Sequence, residues 1–537
     1  MKLRNLVLFA AMIIMAFVLS ACGGNDQPPV GGPVVPQTPD GGTTTQTPSD
    51  TPAQPPAPGG AITWVSMSAP PFLDPIRSND SATGDFTMQV FEGLMWYNPN
   101  GNVLEPLLAE SVNQVDDLTF LFNLRRGVTF HDGTPLNADA VKLSLDRPLD
   151  PEENPVPGRF VIDMIDQVTV VDEYTVQITV QFPFVPLLAH LTHQVAYIIA
   201  PAAIEEERNG GRTVSENPIG TGPFMFAEHV SGEFVRVTPN PNHWRATPAH
   251  DIIFRNIPDA STRLAMVQSG EANAMIPLAS DYPIMPTLPN VDWWQIESSS
   301  LTYVGFNTQK YPLDNVLVRR ALTMAIDSNS ILFGVQEGLG IPAVGPIRGG
   351  LVTHAPTDLT PLPFDTETAR ALLAEAGYPD GFSISIWTND NAVRVRIAQI
   401  VQDNLRAIGV DVDIVVMEWG AYLEDTSAGL HDMFILGWST LTGDADYGVF
   451  LLHSSQISDP NRFFYSNPEV DALLDEGRRS TDPARRDVIY REVSAILIEE
   501  APLLFLFHPN VLVATNGVNN VIVDPNQRPH FFGATLR

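Results

Sequence analysis

Between Thr442 and Gly448 the chain reads Thr-Gly-Asp-Ala-Asp-Tyr-Gly, so Asp444 and Asp446 flank one alanine on a glycine-bounded loop shortly after Trp438. A carboxylate beside an aromatic wall suits an ammonium group, through a charge-assisted hydrogen bond with cation–π attraction from the ring face. Two other readings stay open. The loop could hold calcium, although it lacks the further oxygen ligands and the closing Glu of an EF-hand loop. It could also be a plain turn. The second reactive position is Cys22, the one cysteine in 537 residues. It closes Leu19-Ser20-Ala21-Cys22 after a basic start at Lys2 and Arg4 and an apolar run from Leu6. That order reads as a secretory signal with a small-residue cut. A thiol at the cut can carry a thioether-linked lipid. An ordinary signal peptide or a membrane helix with a chance cysteine is the alternative, but the run is short for a span of about 20 residues. Other chemistry finds no support. The sequence has no Gly-x-Ser-x-Gly elbow, His-Glu-x-x-His pair or phosphate loop. His131-Asp132 sits in a Gly-bounded turn without a second His at metal-ligand spacing. We expect no enzyme, no metal and no cofactor.

The elements around the two carboxylates read as α/β. Phe382 to Trp387, Val410 to Met417 and Met433 to Gly437 have strand composition, and a helix over 391–408 and a shorter one over 421–428 separate them. Strand–helix–strand alternation with short links predicts parallel strands with right-handed crossovers. Ligands of such sheets sit beyond the carboxyl ends of the strands. Trp387, Trp419 and Trp438 are each expected at or just past such an end, and Tyr447 follows the second carboxylate. Three of the eight tryptophans at equivalent positions predict either an aromatic-lined pocket or three core plugs. Two more helices are marked by Asn467-Pro468 and Asp482-Pro483 caps. Earlier in the chain β signals dominate, at Ala61 to Ser66, Leu118 to Leu124 and Tyr174 to Val180, with a helix start capped by Asn137.

Acids outnumber bases 62 to 30, a formal charge of −32. That argues against nucleic acid or anionic lipid as a partner, since both need basic surface. Residues 23–60 are almost entirely Gly, Pro, Thr, Gln, Asp and Ser and read as a semi-extended spacer without a core. With Cys22 consumed by lipid, no disulfide is available and the body must stand on packing. The apolar stretches Leu187 to Ala200 and Val511 to Ala514 read as core and not as membrane spans.

The start of the chain resembles a bacterial lipoprotein signal. The body resembles the extracytoplasmic solute-binding proteins of the oligopeptide/dipeptide/nickel class, family 5, which are receptors of ABC importers. Ordered blocks carry the resemblance. They are Leu73-Asp74-Pro75, Phe91-Glu92-Gly93-Leu94, Pro106 to Ser111, Asp117 to Val141 with its Phe-His-Asp-Gly-Thr-Pro core, Asn217 to Phe224, Gln268 to Glu271, Phe306-Asn307, Val318 to Asp327 and Gly437-Trp438. The resemblance implies a periplasmic-binding-protein-like fold of two lobes that close on a ligand, with mixed sheets and an additional inserted domain. The boundaries it suggests are a signal peptide at 1–21, the lipidated Cys22 and linker at 22–60, first-lobe segments at 61–104 and 196–300, the inserted domain at 105–195, the second lobe at 301–505 and a return to the first lobe at 506–537. It further implies a peptide ligand whose α-amino group meets an acid shortly after the Gly-Trp strand end. Here five residues intervene, leaving Asp446, favoured because Ala445-Asp446-Tyr447 resembles the oligopeptide-binding form, and Asp444 both eligible. Trp438, Trp419, Trp387 and Tyr447 would line the pocket. The Phe-His-Asp-Gly turn and the Gly-Thr-Gly-Pro-Phe segment read as structural. The expected partners are a peptide and ABC permease subunits, with membrane contact through the lipid alone, no nucleic acid and a monomeric chain on the outer face of the cytoplasmic membrane. Another solute (a nickel chelate, an oligosaccharide, an opine-like compound), a sensing role without transport, and a surface enzyme are the competing readings.

Overall fold

The computed structural model describes residues 60–100, 102–153 and 155–537. The signal segment, Cys22 and the spacer up to residue 59 lie outside the described residues. Among the described residues no helix is long and apolar enough to cross a membrane.

One twelve-stranded mixed sheet organises the body. Its first half holds Ala61–Ser66 paired in parallel with Asp251–Asn256, followed outward by Phe234–Pro239 and Phe224–Val230. Its second half holds Phe382–Asn389, paired in parallel with both Val410–Met417 and Met433–Ser439, and then Ser300–Phe306 running antiparallel beside Met433–Ser439. The parallel trio follows the expected strand–helix alternation. Its first crossover is Ala392–Arg406, capped by Asn391, which turns Ile397, Ala398, Val401 and Leu405 into the core. Each such fully buried aliphatic contributes about 1.5–3 kcal/mol.

The long strand Leu503–Thr515 joins the halves. Leu503, Leu504, Phe505 and Phe507 pair with Ser300–Phe306, whereas Asn510 to Thr515 pair with Asp292–Glu297. The expected division between 505 and 506 therefore falls inside one continuous strand, and the change of partners comes near Pro509. A separate four-stranded antiparallel sheet is built from Ala109–Gln114, Thr119–Leu124, Thr175–Val180 and Ile165–Asp172. Alternate Phe120, Phe122 and Leu124 point inward across from Val176 and Ile178, the period-2 pattern of a sheet with one wet face. The helix Ala138–Leu149 covers it, capped by Asn137.

Of the expected strand-end tryptophans, Trp419 keeps its place just past an end and Trp387 does not. Val410–Met417 ends before Glu418, whose side chain accepts from the backbone N–H groups of Gly420 and Ala421. This cap starts the helix Trp419–Ser427 two residues earlier than expected, so Trp419, just past the strand end, is its first helical residue. Trp387 lies two residues inside Phe382–Asn389.

The Gly-Thr-Gly-Pro-Phe segment packs against the end of the helix Ser81–Val90. A Cβ on Gly220 would lie 2.2 Å from the Val90 carbonyl oxygen, and one on Gly222 would lie 2.5 Å from that of Gln89. His131 Nε2 is 3.0 Å from Gly222 O, and the Gly220 N–H donates to His131 Nδ1 at 3.3 Å. Burial pushes this imidazole down to about 4, so it stays neutral and structural near pH 7. Gly220→Ala should cost about 1–3 kcal/mol through overpacking against a carbonyl that cannot yield. Urea denaturation should read this as a lower midpoint with an unchanged slope.

Candidate functional site

The strand Met433–Ser439 ends just before the loop that carries the two carboxylates. Asp444 caps the short helix Ala445–Phe450 by accepting from the backbone N–H of Asp446 at 2.9 Å. Its two oxygens are also bound by Arg486, with Nη1 to Oδ2 at 2.9 Å and Nη2 to Oδ1 at 2.7 Å. Arg486 in turn donates to Gly477 O and to the phenol of Tyr490. Burial alone would lower the Arg486 pKa; its hydrogen bonds and charge pairing with Asp444 raise it instead.

Asp446 is fully buried. Its Oδ2 lies 3.3 Å from Arg478 Nε and 3.3 Å from His190 Nε2, while Oδ1 has no hydrogen-bond partner. Burial would push its carboxyl up, but Arg478, His190 and Arg486 outweigh that and hold it below the usual range. The Arg478 guanidinium sits 3.6 Å over the Phe450 ring and 4.9 Å from that of Phe184. Neither expected amine receptor is thus an isolated carboxylate; each already holds an internal arginine.

Trp438 and Tyr447 come together. Their rings stack at 5.2 Å with a 19° tilt, and the indole N–H donates to the Tyr447 carbonyl at 3.1 Å. Phe160 and His193, from the antiparallel-sheet subdomain and the segment that follows it, pack on Tyr447 at 5.6 and 5.7 Å. The Tyr447 phenol accepts from Asn79 Nδ2 at 3.4 Å, and burial pushes it up to about 12. Further contacts tie the same regions across the molecule. Tyr97 donates to Thr442 O at 2.7 Å, Asn526 Nδ2 donates to Leu441 O at 3.3 Å, and the Val185 N–H donates to Arg478 O at 3.1 Å.

The other two indoles have different surroundings. Trp387 is half-buried, with its N–H given to Ser385 Oγ at 2.9 Å. Ser385 is itself fixed by Asp432, which pairs with Lys310. Trp419 is 36% exposed, stacks on Tyr422 at 6.0 Å and carries the Arg394 guanidinium 5.4 Å from its ring centre.

Arg394 is the residue that sequence reasoning missed. Its Nη1 donates to Asn389 Oδ1 at 3.0 Å, and it makes no ion pair with any carboxylate among the described residues. Burial lowers its pKa, and only the phenols of Tyr422 and Tyr303 act against that. A cation in the first turn of Ala392–Arg406, where the helix dipole is unfavourable to it, was the available signal. A cavity of about 730 Å³ adjoins the carboxylate loop through Tyr97, Leu441 and Asn526, is also lined by Glu92, Trp96 and Arg245, and is lined by none of the residues expected from sequence. No group of three or more His, Cys, Asp or Glu among the described residues is arranged to hold a metal ion.

Comparison with known proteins gives this arrangement its context. The profile described as "Bacterial extracellular solute-binding proteins, family 5 Middle" matches residues 103–459. The glutathione-binding protein GsiB of Pectobacterium atrosepticum is 32% identical over 448 residues, covering 81% of this chain and 86% of that protein. Heme-binding protein A of Haemophilus influenzae is 32% identical over 449 residues, covering 79% and 82%. The periplasmic binding protein DppA of Helicobacter pylori, solved in complex with the peptide STSA, superposes with a TM-score of 0.83 at 27% identity, covering 89% of this chain and 98% of that one. The two-lobed fold is shared with such binding proteins. The chain therefore belongs to the bacterial extracellular solute-binding proteins of family 5, a family of ABC-importer receptors and not of enzymes.

Proposed function

We propose that this protein is a lipid-anchored receptor that captures short peptides outside the cytoplasmic membrane and delivers them to an ABC permease when its lobes close. The observation that carries the ligand class is Arg394. It is a partly buried guanidinium without a carboxylate partner, set against the half-exposed indole of Trp419. A guanidinium kept unpaired in a partly apolar wall suits a ligand carboxylate, with the indole face taking the adjoining apolar part. The peptide reading is supported by the peptide held by the DppA relative and by the glutathione, itself a tripeptide, in the name of the GsiB relatives.

The role of the two carboxylates changes in this reading. Asp444 and Asp446 hold their own half together through Arg486 and Arg478, Asp446 also meets His190 from the other half, and the ligand ammonium is not their primary partner. Breaking a buried pair costs about 3–5 kcal/mol, because a charge is left without compensation. Loss of either Asp would thus weaken ligand capture without direct contact.

Three measurements check the proposal. Arg394→Gln should weaken binding of a peptide with a free C-terminal carboxylate by about 1.5–3 kcal/mol, one to two decades in Kd. The same variant should leave the C-terminal amide of that peptide bound as by the wild type; equal calorimetric affinities of wild type and variant for the free acid would sink the assignment. N-acetylation of the peptide should change the affinity less than tenfold. A hundredfold loss on acetylation would return the ammonium to Asp446 or Asp444. In cells, Cys22→Ser should abolish incorporation of labelled fatty acid and shift the protein out of the membrane fraction. A variant still retained and labelled would show that Cys22 is not the anchor.

A further inference from the structure

His190 ends the short helix Leu187–His190, which follows the antiparallel-sheet subdomain, and Asp446 lies on the helix after the strand Met433–Ser439 in the other half of the body. The two side chains meet out of water, with relative exposures of 1% and 0%. His190 Nδ1 is 2.8 Å from the carbonyl oxygen of Val161. A carbonyl only accepts, so Nδ1 carries a hydrogen. In a neutral imidazole the lone pair then sits on Nε2, 3.3 Å from Asp446 Oδ2 and out of line for a good hydrogen bond. Two electron-rich atoms at that distance in a low-dielectric site repel; an imidazolium in the same place attracts. Neighbouring His193 shows the contrast. Its Nε2 faces Asn79 Oδ1 at 2.9 Å and its Nδ1 accepts from the Val195 N–H at 3.2 Å, so both nitrogens are satisfied in the neutral ring.

We propose that the His190–Asp446 contact is a proton-linked latch: closing the lobes takes up one proton, held by His190 between Val161 O and Asp446. The charged groups around it are few. Asp446, Arg478 and, behind them, Arg486 and Asp444 face it from the second half; Asp163 and His193 face it from its own side. Arg478 lies between Asp163 and Asp446, so two carboxyl groups face one guanidinium beside His190. The closed form binds the extra proton and the open form releases it as His190 returns to water. Closure is thus favoured at lower pH and weakens as pH rises, by at most tenfold per unit for one proton. The inference needs lobe closure alone and holds whichever solute the receptor carries.

The test uses the full chain without ligand. Hydrogen–deuterium exchange read by mass spectrometry, corrected for intrinsic rates, should show protection of residues 182–194 and 444–450 falling about tenfold between pH 6 and pH 8. His190→Gln and Asp446→Asn should each flatten that dependence, whereas His193→Gln should retain it. Equal wild-type protection at both pH values, or a slope that survives in His190→Gln or Asp446→Asn, would overturn the latch. Failure of every peptide to bind in calorimetry would instead count against the ligand class and leave the exchange result standing.

Discussion

A carboxylate taken out of water must find a counter-charge or give up its own. Asp444 and Asp446 stand two residues apart on one short helix, and both are buried. Asp444 has Arg486, which arrives from the helix Pro483–Glu500. Asp446 has Arg478, from Pro468–Arg479, and His190, from across the molecule. The two helices pack so that their arginines reach the same short segment, and the aromatic rings of Phe184, Phe450 and Tyr490 surround the guanidinium groups. The Asp444–Arg486 and Asp446–Arg478 pairs compensate both charges within the second half, and only His190 reaches Asp446 from the other half.

The sheet supplies the other half of the mechanism. Leu503–Thr515 is shared by both halves, so the lobes are joined by continuous backbone and not by a loose linker. Around its change of partners, Arg348 donates to Ser298 O, Pro509 O and Asn510 Oδ1 and pairs with Glu297. This clasp holds the crossing segments together while leaving the lobe surfaces free to meet.

Much of the second half was legible in the sequence because its signals are local. Strand composition and the Asn467 and Asp482 caps mark elements whose positions depend on neighbours in the chain. The helix after Val410–Met417 starts at Trp419 and not at 421 because Glu418 caps it, a local signal that the aromatic pattern obscured. The site was legible only in outline. Proximity of Trp438 to the loop pointed to Tyr447 and the carboxylates, but nothing in spacing shows that Arg478 and Arg486 lie 32 and 42 residues on from their acids. Those pairings come from helix packing, and His190 comes from another subdomain altogether. The single cysteine, read from the sequence as an address, stays a property of the sequence.

The most direct test of peptide capture is the mass of what the protein carries when purified from its own cells under native conditions and then denatured. Released species that fragment along amide bonds, with a free C-terminal carboxylate, are the predicted result. A sugar, a metal chelate or another solute without a peptide backbone, released in stoichiometric amount, would contradict it.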